Sequence, residues 1–144
     1  MKTSLLYRIA SLLLVLFSIG HTIGFRQTKG MVGADTVVAL MQSVRFPVQG
    51  FQRSYWDFYV GFGLFVTVFL LFSAVLSWGL ASAGPEVLAR MPAATWGLAI
   101  CFVMVTILSW GYFFMVPGIF ATLIALCLLA AAARAGKTAS GGRV

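Results

Sequence analysis

YWDFYVGFGLFVTVFLLFSAVLSWGLASA, Tyr55–Ala83, holds a single formal charge, Asp57, in a stretch longer than any other apolar run of the chain. A helix that crosses the hydrocarbon of a bilayer needs about 20 predominantly apolar residues. This stretch exceeds that length, so it sets the fold as an integral membrane helix. Three further runs follow on either side of it. One covers about 5–25, interrupted by Arg8 and by the polar group around His21; the others cover 93–115 and 117–133. Pro117 and Gly118 mark the expected break between the last two, because proline does not continue a helix interior and suits a first turn. The fold class expected is all-α, an integral membrane four-helix bundle forming a single domain over 1–135.

Composition supports this. The chain is 61% hydrophobic and 9% charged, with a mean hydropathy of +1.01. Soluble domains carry roughly 25% charged residues. The net charge of +7 comes from ten Lys and Arg against Asp35, Asp57 and Glu86, placed singly around the apolar runs rather than in a basic cluster. No nucleic-acid partner is expected, and membrane lipids are. Cys101 and Cys127 lie inside apolar runs and read as buried free thiols.

Between the first two spans, Ala34 to Val44 has apolar residues at Val37, Val38, Leu40, Met41 and Val44, the spacing of a short interfacial helix. The flexible stretch Gly30 to Gly33 precedes it, and Phe46-Pro47 ends it. Residues 136–144 read as a disordered basic tail. Lys2, Arg8, Arg90, Arg134, Lys137 and Arg143 fall on one side, against Arg26, Lys29, Arg45 and Arg53 on the other. That bias puts both termini in the cytoplasm, in a bacterial inner membrane. Lys2, the apolar run and Ser18-Ile19-Gly20 also have the arrangement of a cleavable signal, but the run begins by Leu5 and extends to Phe25, as a retained span does.

Chain direction then brings the end of span one, the start of span two and the end of span three to one side. His21 and Asp57 are expected to meet there, held by close helix approach at Gly20, Gly24, Gly61 and Gly63. Ser54 and Asp57 have the spacing of a capping box at the start of span two, and Tyr55, Trp56 and Tyr59 suit an interfacial aromatic belt. One His with one Asp makes too small a ligand set for a metal, and no cofactor or nucleophilic triad is signalled.

Two stretches, Gly20-His21-Thr22-Ile23-Gly24-Phe25 and Arg53-Ser54-Tyr55-Trp56-Asp57-Phe58-Tyr59-Val60-Gly61-Phe62-Gly63-Leu64, resemble a family of short bacterial four-span membrane proteins. The resemblance covers the first half of the chain; it implies a fold and a membrane address and brings no activity with it.

Three functions follow as expectations. The first is a binding protein, with His21, Arg53 and Asp57 as polar handles for a small amphiphilic or lipid-like ligand and Trp56, Tyr59, Trp110 and Tyr112 as walls. The second is an accessory subunit of a larger membrane complex, or a homo-oligomer, in which these groups only cap and align helices. The third is a membrane enzyme of isomerase type, with His21 and Asp57 as the catalytic pair.

Overall fold

The computed structural model describes residues 2–27 and 33–141. In chain order the elements are α1 (Thr3–Gly24), α2 (Ala34–Ser43), β1 (Arg45–Val48), β2 (Phe51–Ser54), α3 (Tyr55–Ser82), α4 (Pro85–Ala89), α5 (Pro92–Tyr112) and α6 (Met115–Gly141). The protein is all-α apart from one small hairpin. Its helices α1, α3, α5 and the 115–136 part of α6 are long and apolar enough to cross a membrane. This is a multi-pass membrane protein.

The element boundaries correct several expectations. The break between the last two spans falls at Phe113-Phe114, where Phe113 is extended, rather than at Pro117-Gly118. Pro117 is the third residue of α6, within the first turn, where a backbone N–H has no intrahelical acceptor to lose. The short helix α4, with Pro85 in its first turn, had not been expected. The expected tail continues α6 as far as Gly141, and 142–144 lie outside the described residues. Of the expected flexible stretch Gly30–Gly33, only Gly33 is described; it takes φ 77 just before α2.

Within the chain, contacts gather into two compact units. Unit 1 is Met1–Phe17 with Leu70–Val144, and unit 2 is Ser18–Phe69. Unit 1 contains stretches of all four long helices and every buried hydrophobic side chain among the described residues, from Leu6 to Ala135. On α6 the buried positions include Ala121, Ala125, Ala131, Ala132 and Ala135. Small residues on one face let transmembrane helices approach closely, and α5 and α6 pack along each other extensively. Trp110 lies flat against Gly118, where an added Cβ would come within 2.8 Å of the indole, and its Nε1–H donates to Thr122 Oγ1 at 3.0 Å. Serines tie α1 to α3: Ser11 Oγ donates to the Ala74 carbonyl and Ser77 Oγ to the Tyr7 carbonyl, each at 2.8 Å. Cys101 and Cys127 are free thiols.

Tyr7 is wholly buried, yet its hydroxyl has no hydrogen-bond partner among the described residues. A buried polar group without a partner costs about 1–3 kcal/mol. Tyr7→Phe is therefore expected to stabilise the protein by about 1 kcal/mol. The readout is the temperature at which a maleimide dye labels Cys101 and Cys127; an unchanged or lower midpoint would show that the hydroxyl has a stabilising role.

Candidate functional site

Unit 2 has no buried hydrophobic side chain among its described residues; its buried side chains are Ser18 and Ser54. Hydrogen bonds and ring contacts hold it together. The hairpin turns at Gln49-Gly50, with φ 47 and 87, the two positive values that a type I′ turn requires. Its register pairs Arg45 with Ser54, Phe46 with Arg53, Pro47 with Gln52 and Val48 with Phe51. In such a hairpin the closing pair is bonded and the next is not. Pro47, which has no N–H to give, occupies that next pair. Phe46 packs its ring against Tyr55 at 4.9 Å and against Phe58 at 6.0 Å, so the hairpin is fastened to the first turns of α3.

The expected capping box is present. The Ser54 N–H donates to Asp57 Oδ2 at 2.8 Å, and the Asp57 N–H donates to Ser54 Oγ at 3.2 Å. Each satisfies a backbone donor that the helix start leaves free. Because Ser54 is also the last residue of β2, the same contact carries the chain from strand to helix and sets Arg53 close to Asp57. Arg45 and Arg53 both stand within electrostatic reach of the Asp57 carboxylate. Arg53 has its guanidinium carbon 5.1 Å from the centre of the Phe51 ring.

His21 does not meet Asp57. Its Nε2–H donates to the Gly63 carbonyl at 3.0 Å. Gly63 lies six residues along α3 from Asp57, about 9 Å at 1.5 Å per residue. The His21 ring stacks on Phe25 at 5.2 Å, and Phe25 in turn covers Gly63, whose added Cβ would lie 2.5 Å from the ring. Beside this tie, Thr22 donates to the Ser18 carbonyl at 2.7 Å, Thr67 donates to the Gly63 carbonyl at 3.2 Å, and the two hydroxyls lie 2.9 Å apart. Tyr59 closes the same corner through its hydroxyl, which donates to the Phe25 carbonyl at 2.6 Å. The geometry therefore removes the contact that a His21–Asp57 proton-transfer pair would need. Of the four glycines expected at close helix contacts, Gly63 is the one at which an added Cβ would meet a neighbour; at Gly20, Gly24 and Gly61 it would meet no atom within 4 Å among the described residues.

The expected ligand residues fall in both units. Arg53 and Asp57 line one open recess of about 220 Å³, together with Phe58, Gly61, Phe62 and Phe65. Trp56 stacks on Tyr59 at 5.4 Å, and His21 is committed to Gly63. Trp110 and Tyr112 belong to unit 1, where Trp110 is bonded to Thr122 and Tyr112 is 82% exposed. The residues overlooked are the phenylalanines. Phe58, Phe62 and Phe65 recur at steps of four and three, one helix face, with rings 6.4 and 6.5 Å apart. Gly61 on that face leaves the gap between them. The periodicity is visible in the sequence, but it is masked by apolar residues all round the helix.

Among the described residues no group of three His, Cys, Asp or Glu side chains is placed to hold a metal ion. No family model matches this chain, and neither a curated protein nor a solved structure matches it.

Proposed function

We propose that this protein binds a small amphiphile, lipid-like in character, at the start of α3, with the polar end of the ligand at Arg53 and Asp57 and its apolar part along Phe58, Phe62 and Phe65. The observation that carries the reading is the recess itself: a cation, an anion and three phenyl rings surround a gap left by Gly61. Ligand sites commonly combine apolar walls with a few convergent polar groups. Helix length supports the depth. The 28 residues of α3 span about 42 Å, against a hydrocarbon core of about 30 Å, so two turns are left over for the headgroup layer. Asp57 is in the first of those turns. The membrane is a bacterial inner membrane, with both termini cytoplasmic and the recess facing outward; the charge bias in the sequence favours that orientation.

Gly61→Leu tests the reading, since nothing stands within 4 Å of a Cβ at that position and the new side chain would fill the recess. Lipids that copurify with the intact chain, counted by mass spectrometry, are expected to include an amphiphile that Gly61→Leu loses. The same amphiphile retained at the same stoichiometry would end the proposal.

A second reading, an accessory subunit, is favoured by how many polar groups in unit 2 are already used as structural ties: His21, Ser54 and Tyr59 each hold a neighbouring segment. Copurification of a stoichiometric membrane partner would support it.

A further inference from the structure

Arg53 and Asp57 carry opposite charges on one recess, and each has its own local contact. Arg53 leans on the Phe51 ring, and Asp57 accepts the Ser54 N–H through Oδ2. The two form no ion pair with each other, and Asp57 Oδ1 takes no hydrogen bond among the described residues. A surface that holds a separate cation and anion at the mouth of an apolar gap is complementary to a ligand with the reverse arrangement. A single acid would meet repulsion at Asp57, and a single amine would meet it at Arg53 and at Arg45, which also stands within electrostatic reach of the carboxylate.

Building on the amphiphile reading above, we infer that the ligand is a zwitterionic phospholipid with a primary ammonium, its phosphate on Arg53 and its ammonium on Asp57 Oδ1. Guanidinium suits phosphate because its N–H fork matches two oxygens at once. The carboxylate is acceptor-only, so it favours an ammonium that still has N–H groups over a trimethylated one. An acyl chain then lies over Gly61 between Phe58, Phe62 and Phe65, where ring faces and edges offer dispersion contact. The cap is part of the selectivity. With Oδ2 on the Ser54 N–H, the cap fixes the orientation of the carboxylate and leaves Oδ1 to face the ligand.

The test is native mass spectrometry of the full chain in detergent, titrated with three dioleoyl lipids: phosphatidylethanolamine, phosphatidylcholine and phosphatidylglycerol. The ethanolamine lipid is expected to bind about two- to fivefold tighter than either of the others, the scale of one exposed ion pair. Asp57→Asn should erase that preference, because the amide oxygen can still accept from Ser54 while the charge is gone. Arg53→Gln should weaken all three lipids. Equal binding of the three by the native chain, or an ethanolamine preference that survives Asp57→Asn, overturns the headgroup assignment while leaving an amphiphile site in place. If none of the three binds, or if Gly61→Leu leaves all three unaffected, the site reading itself fails. Amide circular dichroism of each variant establishes that the helices remain, so a loss of binding is a loss at the recess.

Discussion

Gly63→Ala will loosen unit 2, by about 1–3 kcal/mol, the usual cost of forcing a methyl group into occupied space. The added carbon would stand 2.5, 2.7 and 2.9 Å from three atoms of the Phe25 ring, well inside contact distance. The ring has nowhere convenient to go: it is stacked on His21 at 5.2 Å and packs against Tyr59 at 6.1 Å, and Tyr59 is bonded to the Phe25 carbonyl. Moving Phe25 therefore disturbs the His21 to Gly63 bond, the Tyr59 bond and the approach of α1 to α3 within the unit. Gly61→Ala, two residues away, is the matched control, since nothing stands near its Cβ. Hydrogen exchange at the amides of 18–24 and 55–67 measures the difference. Exchange that is accelerated in Gly63→Ala and native-like in Gly61→Ala is expected; equal behaviour of the two would mean that the Phe25 contact is unimportant.

Phe102→Ala is expected to be the most damaging truncation in unit 1. Phe102 is fully buried, among the largest side chains with no exposure, and lies on α5, the helix that packs along α6. In a water-soluble core such a change costs 3–5 kcal/mol, part transfer from water and part cavity. In a membrane the transfer part shrinks, because lipid is as apolar as the site that the ring leaves. The cavity part persists, so the expected loss is about 2–3 kcal/mol. Thermal exposure of Cys101 and Cys127 to a maleimide dye reads it directly, as both thiols are free and sit on the two helices concerned. A native-like midpoint would show that α5 and α6 are held by the Trp110 to Thr122 bond and their alanines alone.

The spans, the helix at Ala34–Ser43 and the Ser54–Asp57 cap were legible in the sequence because each rests on local signals: a long apolar run, a periodic face, or partners three residues apart. The hairpin was not. Its turn is Gln-Gly rather than the Asn-Gly or Asp-Gly that advertises a type I′ turn, and Pro47 reads as a terminator until the register shows it in an unbonded pair. The His21 contact failed for another reason. Its partner is a backbone carbonyl, which every residue offers, so nothing at position 63 announces it. The sequence paired the chain's only histidine with a carboxylate because those are the groups that stand out. Glycine spacing was no guide either: only the three-dimensional arrangement shows that Phe25 needs the space at Gly63, and that a Cβ at the other three would meet no atom within 4 Å among the described residues.

Among the described residues every buried hydrophobic side chain lies in unit 1, while unit 2 is joined by a small number of hydrogen bonds and stacked rings. Regions with few buried apolar contacts occupy the low end of a protein's range of local opening energies. Unfolding of this chain is therefore expected in two steps, which one melting temperature would not describe. Hydrogen exchange at the amides of 55–67 and labelling of the two cysteines are expected to report different midpoints, the exchange first. A ligand held at the start of α3 would raise the first midpoint and leave the second where it is, so the separation between the two transitions is itself a measure of occupancy.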